Sequence, residues 1–177
     1  MITQRDQDIL NFLEEFHAAT TSQLQRLFFR GTSYRYSCKR LQYLYEQGFL
    51  KRMRSTISNE YAYYLKKPSM LPQIHHDLIR AELYVNIKER YKLLEWNNEM
   101  SVANIRPDAL AYIEYGLPLM IEVHLSNRFN FDKYNQDFIP LFGIQPRIIV
   151  VTDKKINIPD RKYRIVKTDM QGIDKIM

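Results

Sequence analysis

Residues 30–54, RGTSYRYSCKRLQYLYEQGFLKRMR, decide how the rest of this sequence is interpreted. The stretch holds seven basic residues and one acid, Glu46, so its local charge of +6 equals the net charge of the whole chain. Charge concentrated in this way is typical of a surface that binds nucleic acid. A solvated basic helix without a ligand is the alternative interpretation.

The first half of this stretch has the periodicity of an amphipathic helix over about residues 33–47. At 100° per residue, Ser37, Leu41, Leu44 and Gly48 fall on one side, which we expect to face the core. A helix that packs through leucines and presents basic and amide side chains outward suits the DNA major groove. The side chains expected to contact DNA from this helix are Arg35, Tyr36, Lys39, Arg40, Gln42 and Tyr43.

The residues on either side complete a small DNA-binding fold. Two shorter helices are predicted upstream, the first capped by Thr3 and the second by Thr21. After Gly48, two extended segments around a polar tip predict a hairpin wing, whose Lys51, Arg52 and Arg54 would meet phosphates. Three helices and a wing over residues 1–66 predict a winged helix-turn-helix that binds double-stranded DNA.

Bulk composition narrows the class of protein. The 177 residues are 45% hydrophobic, which is typical of globular domains, and the single cysteine, Cys38, excludes an intramolecular disulfide. No apolar run reaches the length of a membrane span, and the polar first residues lack a signal-peptide core. We therefore expect a cytoplasmic protein without a membrane segment.

A second module follows a proline-containing linker predicted at residues 67–73. An apolar pattern predicts a helix over 74–91, and from Leu93 the apolar period becomes two, which indicates strands. The predicted strands cover 93–96, 105–113, 117–125, 146–152 and 162–167, with a helix over 130–138. The module, residues 74–177, is therefore predicted to be a small α/β domain.

One hairpin of this module places two acids opposite each other. If Glu114-Tyr115-Gly116 is a three-residue loop with Gly116 in the left-handed region, Asp108 pairs with Glu122 across the hairpin. Their Cβ atoms would then lie about 5 Å apart on one face, which His124 shares. Two carboxylates in this position can share a divalent metal, although acids near a turn are more often simply solvated.

The segments Arg106-Pro107-Asp108 and Ile121-Glu122-Val123-His124 resemble the signature of the PD-(D/E)XK nuclease superfamily. The resemblance implies that Glu82, Asp108 and Glu122 hold Mg²⁺, the one cofactor suggested for the chain. His124 stands where a nuclease has the lysine that orients the attacking water, and Lys133 would supply that cation from a displaced position. The expected fold is thus α+β, a winged helix followed by a nuclease-like domain in which cleavage is lost.

The whole layout also resembles the replication-relaxation family of plasmids, phages and integrative elements. The matching positions are Thr21, Gln23-Leu24, Arg40-Leu41, Leu44, Gly48, Pro107-Asp108, Glu122-Val123 and Lys133-Tyr134. The resemblance implies a DNA-binding accessory protein of a mobile element, acting in replication or conjugative transfer. A relaxase, a replication protein or a second copy of the chain is its candidate protein partner.

Two alternatives stay open at this point. One is a Mg²⁺-dependent DNA endonuclease whose catalytic residues are Glu82, Asp108 and Glu122, assisted by His124 or Lys133. The other is a transcriptional repressor that uses the second module for dimerisation or for sensing an effector.

Overall fold

The computed structural model describes residues 1–66 and 71–176, and these residues form an α+β protein with two sheets. The chain divides into two compact units, Met1–Val85 and Asn86–Met177. Within the described ranges, no helix combines the length and the apolar character that crossing a bilayer requires.

Three helices open the first unit: α1 (Gln4–Phe16), α2 (Thr21–Phe28) and α3 (Tyr34–Glu46). Thr3 caps α1 in a capping box with Asp6, as its position in the sequence predicts. The cap of α2 is Thr20, not Thr21, because the Gln23 side-chain oxygen accepts a hydrogen bond from the Thr20 backbone N–H and so completes a capping box there. Ser33 caps α3, and Gly48, at φ +79°, follows its end.

A three-stranded antiparallel sheet completes this part of the fold. The predicted hairpin is formed by β2 (Lys51–Arg54) and β3 (Tyr61–Tyr64), with Arg52 opposite Tyr63. A two-residue strand, β1 (Ala19–Thr20), pairs with the other edge of β3. The sequence did not predict β1, because two residues are too few for a period of two to be detected.

The helix predicted from residue 74 begins earlier, since α4 covers Leu71–Arg90. The proline at position 72 was interpreted as a break, but proline is tolerated in the first helical turn, where its missing N–H has no intrahelical partner. Residues 67–70 of the predicted linker lie outside the described residues. Ile74 and Leu78 pack against Ala18, Ala62 and Tyr64, so the N-terminal part of α4 belongs to the first unit rather than to the second module.

The second unit is built on a five-stranded mixed sheet in the order β4-β5-β6-β7-β8. Its strands are β4 (Leu93–Asn98), β5 (Ala109–Ile113), β6 (Leu119–Val123), β7 (Arg147–Val151) and β8 (Tyr163–Val166). The first three strands are antiparallel, whereas β6, β7 and β8 are parallel. A core cluster that includes Leu110, Met120, Tyr134, Ile148 and Tyr163 covers one face.

Of the helix predicted over residues 130–138, only one short piece forms, and a further short helix follows outside that range. A 3₁₀ helix covers Phe131–Tyr134, and α5 covers Ile139–Phe142. Pro140 lies at the start of α5, where a helix tolerates proline, and Gly143 ends it at φ +73°. The proline therefore belongs to α5 and not to the predicted helix.

A buried ion pair connects α1 and α3. The Asp6 carboxylate is fully buried and accepts hydrogen bonds from the Arg40 guanidinium, with 2.9 Å between Nε and Oδ1. The hydrogen bond from Arg40 is the main reason that the pKa of Asp6 falls from 3.8 to about 2. Because the folded-state pKa is the lower one, the ionised pair stabilises the fold above about pH 4 and stops doing so as the pH falls toward 2.

We expect Asp6→Asn to lower the free energy of unfolding by about 2–3 kcal/mol at neutral pH and to remove this acid dependence. Urea unfolding between about pH 2 and pH 7 measures both effects. Asp8→Asn is the matched control, because Asp8 is exposed on the same helix and accepts only a hydrogen bond from Gln4 among the contacts described. Equal stability of the two variants would contradict the role given to Asp6.

Candidate functional site

The basic surface of α3 is arranged as its sequence predicts. Ser37, Leu41 and Leu44 are buried, whereas Arg35, Lys39 and Gln42 are exposed on the opposite side. The Gln42 amide donates a hydrogen bond to the Glu46 carboxylate, with 2.7 Å between Nε2 and Oε1. The helix therefore offers two cations and an oriented amide on one accessible face.

Arg40 and Tyr43 lie at the side of this face and are engaged within the unit. Besides pairing with Asp6, Arg40 donates to the carbonyl oxygen of Met1 at 3.1 Å and stacks over the Tyr43 ring at 4.8 Å. Both were predicted to contact DNA. In the structure the Arg40 guanidinium instead stabilises the fold, because it pairs with the buried Asp6 carboxylate.

Aromatic rings hold the basic side chains of the hairpin. Arg52 lies between the rings of Tyr45 and Tyr61, at 4.3 Å and 4.2 Å from their centroids. Arg54 stacks on Tyr61 at 4.7 Å. Because Tyr45 belongs to α3, the stack connects this helix to the hairpin. Stacking on an aromatic ring fixes the direction of a guanidinium group and leaves its edge open to hydrogen bonding.

The hairpin is also attached to the start of α2. The Glu60 carboxylate accepts hydrogen bonds from the backbone N–H and the hydroxyl of Ser22, at 2.7 Å and 2.6 Å. A carboxylate at a helix N-terminus interacts favourably with the helix dipole. Sequence reasoning missed this contact, because the two residues are 38 positions apart.

A second cluster lies in the other unit, at the hairpin of β5 and β6. Ala109 pairs with Ile121, Leu110 with Met120 and Ala111 with Leu119, which confirms the predicted register over these three pairs. The predicted pairing of Asp108 with Glu122 is not formed, because the Asp108 N–H donates to the Ile121 carbonyl at 2.9 Å. The left-handed residue of the loop is Tyr115, at φ 58°, and not Gly116 as predicted. The turn is closed by the Gly116 N–H bonding the Ile113 carbonyl, and Tyr115 is almost fully exposed, so its side chain meets no packing obstacle there.

Glu122 is the centre of this carboxylate cluster. Its Oε1 accepts hydrogen bonds from the Lys133 ammonium and the Tyr134 hydroxyl. Burial raises the pKa of Glu122, the nearby Asp108 carboxylate raises it further, and the bond from Lys133 opposes both. Burial, together with Glu122, raises the pKa of Tyr134. Lys133 therefore contacts this acid, as its sequence position predicts. It does so from the 3₁₀ helix Phe131–Tyr134.

Asp108 and His124 lie beside Glu122 with partners of their own. Asp108 accepts the backbone N–H of Val123 at 2.7 Å. His124 contacts the Ser126 hydroxyl at 3.2 Å and packs edge-on against Phe129. Burial lowers the pKa of His124, although the Asp108 carboxylate acts in the opposite direction. At neutral pH the imidazole is thus mainly uncharged, and the cation of the cluster is Lys133.

Glu82, the helix acid suggested for a metal site, has partners in the first unit. Its carboxylate binds Arg26 at 2.5 Å and the Gln23 amide at 3.0 Å. Gln23 in turn donates to the Leu78 carbonyl at 2.9 Å. The structure thus gives Glu82 a role in holding α2 against α4, and the sequence carried no signal for a pairing across 56 positions.

The residues around Glu122 do not fit a divalent metal as they are arranged. The Oε1 atom of Glu122 already accepts two hydrogen bonds, and Asp108 accepts one at Oδ2. Across the part of the chain that the structure describes, no three or more His, Cys, Asp and Glu side chains are grouped so that they could hold a metal ion. A positive charge is nevertheless present, supplied by Lys133.

Comparison with protein-family models gives no match, and comparison with curated proteins and with solved structures gives none either. The resemblance to the replication-relaxation family therefore stays a hypothesis that rests on the residues of this chain.

We expect Tyr134→Phe to lower the free energy of unfolding of the second unit by about 1–2 kcal/mol, because a buried carboxylate loses one of its donors. Thermal or urea unfolding measures the loss. Tyr163→Phe is a suitable control, since among the described residues the Tyr163 hydroxyl makes only a long hydrogen bond, of 3.4 Å, to the Phe131 carbonyl. A larger loss in the control than in Tyr134→Phe would show that the Glu122 contact is unimportant for stability.

Proposed function

We propose that the chain is a DNA-binding accessory protein of a mobile element and that its first unit contacts double-stranded DNA. The observation that carries the proposal is the accessible face of α3, where Arg35, Lys39 and Gln42 lie opposite a buried leucine side. An α-helix fits the major groove, where arginine and lysine reach guanine acceptors or phosphates and glutamine bonds the edge of adenine.

The helix-turn-helix interpretation is supported by the order and contacts of the elements. α2 packs on α3, and the hairpin of β2 and β3 follows α3 directly. In a winged helix-turn-helix, α3 would enter the groove and the hairpin would approach the phosphate backbone. Lys51 and Arg54 are exposed on the hairpin, which suits contacts to phosphates.

The stacked arginines add a second kind of contact to this interface. Arg52 and Arg54 are held by Tyr45 and Tyr61, so less side-chain freedom is lost when their guanidinium groups bind a phosphate. Such pre-organisation raises affinity without adding contacts. Arg40 is left out of the proposed interface because its partner is Asp6.

The assignment to replication or conjugative transfer depends on the resemblance of the whole layout to the replication-relaxation family. The second unit supports this assignment because four residues that carry the resemblance lie in one cluster. They are Asp108, Glu122, Lys133 and Tyr134. We propose that this unit is a nuclease-like domain that does not cleave and that serves to contact a relaxase, a replication protein or a second copy of the chain.

We expect the double substitution Arg35→Ala and Lys39→Ala to weaken binding to a labelled mixed-sequence duplex several-fold or more. If both cations contact phosphates, the slope of log affinity against log salt falls by about 2, because fewer counterions are released. Fluorescence anisotropy at several salt concentrations measures both quantities.

The matched control replaces Lys154 and Lys155 by alanine, because these two lysines are also exposed and neighbouring but lie in the second unit. The control should bind as the unmodified chain does. Unchanged affinity and slope in the Arg35/Lys39 variant would remove α3 from the interface, and an equal loss in the control would indicate non-specific attraction.

The endonuclease alternative makes a different prediction that a single assay tests. Incubation with supercoiled plasmid and Mg²⁺ or Mn²⁺ should leave the plasmid intact if the second unit does not cleave. Nicking that Asp108→Ala abolishes would overturn this part of the proposal, and nicking that survives the substitution would point to a contaminating nuclease.

A further inference from the structure

The Lys133 side chain is surrounded by oxygen atoms of the kind that bind a hard metal ion. Its ammonium group donates to Oε1 of Glu122 and, at 3.0 Å, to the backbone carbonyl oxygen of Arg106. Carboxylate and carbonyl oxygens are the ligands that Mg²⁺ and Ca²⁺ use in proteins. The side chain is partly buried, with 31% of its surface exposed against 14% for Glu122.

The local charge balance requires a cation at this place. The Asp108 carboxylate accepts the backbone N–H of Val123 at 2.7 Å, which places it beside Glu122, and Glu122 lies on the face of β6 that carries Met120, next to the core. Two carboxylates near each other in a partly buried site repel unless a positive charge lies between or beside them. The structure supplies that charge from the 3₁₀ helix Phe131–Tyr134, and the neighbouring Tyr134 hydroxyl donates to the same oxygen.

We infer that the Lys133 ammonium is the permanent cation of the Asp108–Glu122 pair and that it keeps divalent metal ions out of the site. The resemblance to nucleases implies a metal ion at these carboxylates, whereas in the structure the Lys133 ammonium contacts Glu122 there. A lysine in contact with Glu122 repels a second cation, and Glu122 would have to give up hydrogen bonds to bind a metal. This inference does not depend on DNA binding by the first unit.

The experiment measures Mn²⁺ binding to the full chain by electron paramagnetic resonance, with Lys133→Met as the variant. Methionine keeps a long unbranched side chain but removes the charge. We expect the variant to bind Mn²⁺ at least about tenfold more tightly than the unmodified chain, because the like charge next to the carboxylates is gone. Adding Asp108→Asn to the variant should abolish the gain, since one of the two carboxylates is lost.

Lys162→Met is the matched control. Lys162 lies in the same unit, is partly buried, and donates to the Tyr134 carbonyl at 3.2 Å with Asp160 at 3.7 Å, but it does not contact Glu122 among the described bonds. This variant should gain no affinity for Mn²⁺. Equal gains in both variants would overturn the inference, as would tight Mn²⁺ binding by the unmodified chain or no gain in Lys133→Met.

A second measurement uses the unmodified chain and so does not depend on whether the variant folds. The ¹⁵N resonance of the Lys133 ammonium, assigned by its absence in Lys133→Arg, should be unaffected by millimolar Mg²⁺. A shift of this resonance on adding Mg²⁺ would mean that a metal reaches the carboxylates beside the lysine, and the inference would be wrong.

Discussion

The ion pair between Asp6 and Arg40 is the interaction on which the accessible face of α3 depends. Asp6 completes the capping box of α1, accepts hydrogen bonds from Thr3 and neutralises Arg40 of α3, all with one fully buried carboxylate. Breaking a buried pair by removing one partner leaves an uncompensated charge, which is far more costly than losing a surface pair. By fixing α1 against one side of α3, the pair contributes to holding Arg35 and Lys39 on the side that stays exposed.

The same principle governs the second unit, where a cation again belongs to a carboxylate of the chain itself. Asp108 lies beside Glu122 through its hydrogen bond from the Val123 N–H, and Lys133 and Tyr134 donate hydrogen bonds to the partly buried Glu122 carboxylate. His124 follows the end of β6, two residues after Glu122, and is mainly uncharged at neutral pH. The cation that contacts Glu122 is the Lys133 ammonium, which comes from the 3₁₀ helix Phe131–Tyr134. The resemblance to nucleases implies a metal ion at these carboxylates. Because Lys133 contacts Glu122 there, we propose that the unit does not cleave.

Local patterns in the sequence were sufficient for part of the fold and of the candidate site. The buried side of α3 followed from a helical period, and the β5–β6 register followed from the length of one turn. Contacts between distant residues could not be predicted in this way: the partners of Arg40, Glu60 and Glu82 are 34 to 59 positions away, and no local period encodes them. For this reason Arg40 was assigned to the DNA surface and Glu82 to a metal site, whereas the structure gives both of them structural partners.

The central claim is that the face formed by α3 and the hairpin of β2 and β3 binds duplex DNA. Titration of the ¹⁵N-labelled chain with a mixed-sequence duplex, followed by amide chemical shifts, tests it most directly. We expect the largest shift changes to fall within residues 34–46 and 51–61, with exposed positions such as Arg35, Lys39 and Gln42 among them, and to weaken as salt is added. Changes confined to residues 86–176, or none at DNA concentrations that saturate binding, would contradict it.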